Sequence, residues 1–105
     1  GIQVVICSVL PAYDYPWRTG LEPAPKIVEL NKRLKQYADT HGVVYCDFFT
    51  AMADERDGLP KELSEDGVHP NLAGYAVMGP IVEHAIARAL LMWKAPNPAS
   101  AKTFQ

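Results

Sequence analysis

Several things are scarce in this sequence, and each shortage removes a class of protein. No apolar run in its 105 residues approaches the roughly 20 residues that a membrane-spanning helix needs. Basic residues are few and scattered. Ten Lys and Arg face twelve Asp and Glu, for a net charge of −2. No stripe could neutralise a row of phosphates, so nucleic acid is not an expected partner. There are only two cysteines, Cys7 and Cys46, with no Cys-x-x-Cys spacing that would suggest zinc or redox work. Each lies in an apolar run and reads as a buried core thiol. Residues 1–10 lack a basic leader followed by a long apolar core and a small-residue cleavage site, so they do not read as a signal peptide. The first residue is Gly rather than Met, and a start further upstream is expected. The compartment is left open. Serine is also rare, with Ser8, Ser64 and Ser100 the whole supply.

What is present reads as one small globular domain, 49% hydrophobic and 21% charged. "IQVVICSVL" is apolar and β-branched nearly throughout, as a strand buried on both faces would be. "AYDYPWRTGLEPAP" follows as a Pro-rich loop, with Pro25 suited to a first helical turn. From Lys26 to His41 the apolar residues Ile27, Leu30, Leu34 and Tyr37 or Ala38 recur at helical spacing, and Gly42 stops the helix. "VVYCDFF", residues 43–49, is a second buried strand. About 35 residues separate the strand starts, the length of a βαβ unit with a right-handed crossover.

A short helix is expected near Ala51–Glu55, before Gly58 and Pro60 break the chain. A long apolar helix then runs from Asn71 to Trp93, with a kink or a split into two pieces at Gly79-Pro80. The domain is assigned to residues 1–93, and 94–105 reads as a loose tail. Two parallel strands make a poor sheet, since each keeps an open edge. The expectation is therefore the C-terminal part of a larger α/β domain, with two strands and about three helices present.

The chemistry gathers in "SEDGVHPNLAGY", residues 64–75. Asp66 and His69 stand three residues apart, just before the last helix. An Asp in a tight loop can curl back to accept the imidazole Nδ1–H, leaving Nε2 to act as a base on a hydroxyl nucleophile. The loop precedes a helix, at the sheet edge where open α/β folds bind ligands. Blander roles compete: Asp66 as a turn starter, and His69 or Asn71 as a helix cap. A metal site needs more ligands than Asp66 and His69 supply, so no metal is expected. His41 and His84 read as a helix-end cation and a helix-face side chain.

The stretch "DGVHPNLAGYAVMGPIVEHAI" resembles the last motif block of the SGNH (GDSL-type) hydrolases, in which an Asp-x-x-His-Pro loop precedes the C-terminal helix. The segment "PKIVELNKRLKQYADTHGVVYCDFF" is similar to the unit before it, and the likeness runs over residues 1–93. The resemblance implies a three-layer α/β/α, flavodoxin-like fold with a parallel sheet. It implies a Ser–His–Asp ester hydrolase without metal or organic cofactor, in which His69 is the general base and Asp66 its orienter.

The family's nucleophile lies in a Gly-Asp-Ser block and its oxyanion-hole Gly and Asn in two middle blocks, and none of these stands in this sequence. Ser8 is in a strand, Ser64 is two residues from Asp66, and Ser100 is in the tail. The chain is therefore expected to need an N-terminal segment of the same domain, and to be inactive alone. Tyr13, Tyr15, Trp17 and Arg18 are candidate substrate-wall residues, suited to a sugar or to an acyl chain with a polar head. By family analogy the substrate is a small acyl or acetyl ester, acylated carbohydrate among them. The competing class is a non-catalytic α/β module that associates through its strand edges, and self-association of the isolated chain is expected in either case.

Overall fold

The computed structural model describes residues 1–93. The elements run β1 (Val5–Cys7), α1 (Pro23–His41), β2 (Val44–Cys46), α2 (Phe49–Met52) and α3 (Leu72–Met92). The strands are parallel neighbours, in register Val5 with Val44, Ile6 with Tyr45 and Cys7 with Cys46. This is the expected βαβ unit, though each strand is shorter than its apolar run. Phe49, read as strand from its side chain, starts α2 instead, where Thr50 N–H donates to Asp47 Oδ1 at 3.0 Å. α2 accordingly begins before the Ala51–Glu55 window.

Side chains alternate across a strand, so β2 has two different neighbours. Val44 and Cys46 share one face and join Phe48, Met52, Leu59, Ala85 and Ala89 in the main core. Val77, Met78, Ile81 and Val82 of α3 pack against that cluster. Tyr45 points the other way, and its hydroxyl reaches the Asn31 carbonyl of α1 at 3.4 Å. The result is helix, sheet, helix in three layers. Of the expected apolar face of α1, Ile27 and Ala38 are buried and Leu34 is half-buried, whereas Leu30 and Tyr37 are exposed. α1 starts at Pro23, three residues earlier than expected, because Pro at the first helical position gives up no hydrogen bond. It ends at Gly42, with Val43 N–H donating to Ala38 O at 2.9 Å.

Two expectations need correction. α3 is one continuous helix through Pro80, not two pieces. Gly79 supplies the reason: a residue before proline is driven out of the helical region by a clash between its Cβ and the proline ring, and glycine has no Cβ. Cys7 is exposed, while Cys46 is buried. Burial pushes the Cys46 thiol up to about 11, with the neighbouring Cys7 adding to the shift. Cys7 has no such cover, because the described residues pair β1 with β2 alone. The tail expected over 94–105 lies outside the described residues.

Candidate active site

The loop between residues 62 and 71 is built to hold one carboxylate in one orientation. Asp66 Oδ1 accepts the backbone N–H groups of Val68 at 2.9 Å and of His69 at 2.8 Å. Fixing that oxygen aims the other, and Oδ2 meets His69 Nδ1 at 2.7 Å. Gly67 between them has φ +81°, a left-handed conformation that glycine adopts without strain. The His69 N–H, then the His69 ring, then the Val68 N–H hold the Asp66 carboxyl far below the ordinary carboxylate range. All three contacts favour the Asp66 anion. An anion can only accept, so the ring donates Nδ1–H in this contact, and Nε2 is the ring nitrogen left for another partner. The His69 side chain is 72% exposed, and Nε2 has no hydrogen-bond partner among the described residues.

The loop is fastened to α3 by Asn71. Its side-chain oxygen caps the helix, accepting Gly74 N–H at 2.9 Å. Its Nδ2 donates to Glu62 O at 3.2 Å and its N–H to Leu63 O at 2.8 Å. The cap is therefore Asn71, one of the two residues that competed for that role. The contact is close: a Cβ on Gly74 would lie 2.6 Å from Leu63 O and 2.9 Å from Pro70 Cβ. His41 keeps its bland role at the end of α1, with Nδ1 against Tyr37 O and its ring stacked on Tyr37.

The described serines serve the backbone. Ser8 is buried, and its Oγ accepts Phe48 N–H at 3.0 Å and Phe49 N–H at 3.1 Å. Ser64 is 1% exposed and lies beneath the Asp66–His69 loop, bonded to that loop's own peptide groups. Neither hydroxyl is bonded to the imidazole.

Beside the pair lies an open cleft of about 240 Å³, lined in part by Tyr13, Asp14, Tyr15, Arg56, Asp66 and Gly67. It brings the loop after β1 against the loop before α3. Tyr15 and Trp17 stack at 5.3 Å, and the Trp17 ring centre is 6.1 Å from that of His69. Asp14 shapes this segment by accepting Tyr15 N–H at 2.9 Å and Gly20 N–H at 3.2 Å. Arg18 donates its N–H to Tyr15 O, and its side chain does not line the cleft. Sequence reasoning passed over Arg56, whose guanidinium lies 4.3 Å from the centre of the Tyr13 ring. It also passed over Asn31, buried in α1. Asn31 Oδ1 accepts Val9 N–H at 2.7 Å and its Nδ2 donates to Val9 O at 2.9 Å, fixing where the chain leaves β1 for the cleft.

Comparison with known proteins bears on the family and the fold. The model of the GDSL-like lipase/acylhydrolase family matches residues 1–77, which include the Asp66–His69 loop. A GDSL-like lipase from Bacteroides thetaiotaomicron is 37% identical with a TM-score of 0.78, covering 84% of this chain and 44% of that one. A protein assigned as an acylhydrolase, from Bacteroides fragilis, is 36% identical with a TM-score of 0.80, covering 85% of this chain and 44% of that one. The chain therefore spans less than half the length of either structure. No curated protein matches it.

Proposed function

The chain belongs to the GDSL-like lipase/acylhydrolase family, and on that footing we propose that it carries the base half of a Ser–His–Asp ester hydrolase. The observation that supports this most is the 2.7 Å contact between His69 Nδ1 and an Asp66 carboxylate locked by two backbone N–H groups. In this reading His69 Nε2 takes the proton of a serine hydroxyl as that oxygen attacks the ester carbonyl. The same nitrogen then returns the proton to the departing alcohol. Water repeats the cycle on the acyl-enzyme, and Asp66 stabilises the imidazolium each time it forms. The nucleophile and the oxyanion-hole donors come from a segment of the same domain outside these 105 residues. The buried, backbone-bonded Ser8 and Ser64 favour this. Tyr13 and Tyr15, with Trp17 stacked on Tyr15, form the substrate side, Arg18 standing outside the cleft, and the aromatic stack beside His69 suits small acyl esters of a ring-bearing alcohol such as a sugar.

Hydrolysis of p-nitrophenyl acetate tests the reading. In a full-length protein carrying this chain, His69→Ala should lower kcat on the order of 10⁶-fold, and Asp66→Asn on the order of 10⁴-fold. An asparagine at 66 would present an amide donor to Nδ1 and so favour the wrong imidazole tautomer. The 105-residue chain alone should show no turnover above its own His69→Ala variant. Turnover by the chain alone that His69→Ala abolishes would place the nucleophile among these residues and overturn the division of the site.

A further inference from the structure

The buried hydroxyl of Ser64 has no part in proton transfer, yet it touches both peptide units that aim the Asp66–His69 pair. Gly67 N–H donates to Ser64 Oγ at 2.9 Å, which fixes the peptide following Asp66. Ser64 Oγ donates to His69 O at 2.7 Å, which fixes the peptide following His69. Those two peptides set the ψ angles of Asp66 and His69. A third contact, 3.1 Å to Asp66 Oδ1, competes for the single hydroxyl proton, and the shorter carbonyl contact takes the larger share. One small side chain thus spans the loop from inside, beneath a histidine that is itself 72% exposed. An exposed imidazole gets little orientation from packing, so its direction must come from the backbone and from Asp66.

We propose that Ser64 is a positioning residue for the base. It holds the loop in the one shape in which the Val68 and His69 N–H groups fix Asp66 and Asp66 fixes the His69 tautomer. This rests on His69 acting as the base. Without the hydroxyl, Gly67 N–H and His69 O lose the partner they share beneath the loop, where Ser64 is 1% exposed. The loop must then shift to bring these groups to water or to each other. A shift of this kind loosens Oδ2 from Nδ1 without touching the substrate.

The test uses a full-length protein carrying this chain, with two readouts. Long-range ¹H–¹⁵N correlation through the carbon-bound ring protons reports the His69 tautomer at a pH where the ring is neutral. Hydrolysis of p-nitrophenyl acetate reports kcat and KM. Wild type should show the Nδ1–H tautomer. Ser64→Ala should move the ring toward Nε2–H and lower kcat about tenfold, equivalent to about 1.4 kcal/mol, with KM unchanged. Ser64→Cys keeps the side-chain shape with a slightly larger and weaker hydrogen-bonding group, and it carries the test if the alanine variant does not fold. It should behave like alanine if hydrogen bonding is what matters. A Ser64→Cys protein with wild-type tautomer and kcat would overturn the proposal and reduce Ser64 to a space-filler. Asp66→Asn separates the two levels. If it changes tautomer and rate while both Ser64 variants leave them alone, only the role of Ser64 falls. If it changes neither, Asp66 does not orient the ring and the role of Ser64 falls with it, while His69→Ala decides separately whether His69 is the base.

Discussion

At the scale of single residues, one carboxylate organises the site, and its protonation ties geometry to pH. The Asp66 carboxyl titrates far below an unfolded aspartate because the His69 N–H, the His69 ring and the Val68 N–H all favour its anion. The sign follows from linkage. A carboxyl depressed in the folded state stabilises it fully above the unfolded value, about pH 4, and loses that contribution as pH falls toward the folded value. Urea unfolding of wild type and Asp66→Ala should therefore differ most above about pH 4, with wild type the more stable, and the gap should close in stronger acid. A gap that widened on acidification would mean that Asp66 is not held as the anion by its own loop. This pair was legible in the sequence because Asp-x-x-His spacing before a helix is a local pattern with a chemical reason. Ser64 and Asn31 were not. Each acts on backbone groups that adjacency in sequence does not reveal, Asn31 across 22 residues and Ser64 from beneath a loop whose shape had first to be known.

At the scale of elements, sequence periodicity placed α1 and its Gly42 stop within a few residues, and it put two parallel strands at the right positions. Strand ends were less legible. A strand is defined by its partner, and a nine-residue stretch such as IQVVICSVL cannot say which of its residues will be paired. At Pro80 the split into two pieces, one of the two expected outcomes, is the one that fails, and the glycine before the proline is the local context that decides it. The joint that matters most to the site is the one between α3 and its loop. Gly74→Ala tests it. Alanine should favour a helix by about 1 kcal/mol over glycine. Here, however, the added Cβ would meet a backbone oxygen at 2.6 Å, and a carbonyl fixed by the Asn71 N–H cannot yield as a flexible side chain does. Overpacking should win, with a net loss of about 1–3 kcal/mol in urea unfolding. A gain in stability would mean that the first turn of α3 is not seated on the loop that carries His69.

At the scale of the whole molecule, the described fold leaves one side bare. β1 hydrogen-bonds to β2 on one edge, and the described residues put no strand on its other edge. Ile2 and Val4 beside it are 91% and 55% exposed, and on α3 Ile86, Leu90 and Leu91 also face solvent. Each such side chain forgoes about 1.5–3 kcal/mol of burial, against a typical net stability of about 5–15 kcal/mol. The open edge adds unpaired N–H and C=O groups in register to accept another strand. In the complete domain an upstream segment is proposed to cover this side. In the 105-residue chain alone, a second copy can do so by edge pairing or by exchange of elements. Sedimentation should then show dimers or larger species at micromolar concentration. Val5→Lys should prevent compact assembly and leave unfolded or aggregated chain, because the half-buried Val5 packs against the core and an ammonium drawn into that apolar contact loses hydration. A folded monomer with a cooperative melt, unchanged on dilution, would mean that the two strands and their helices suffice without a partner for β1.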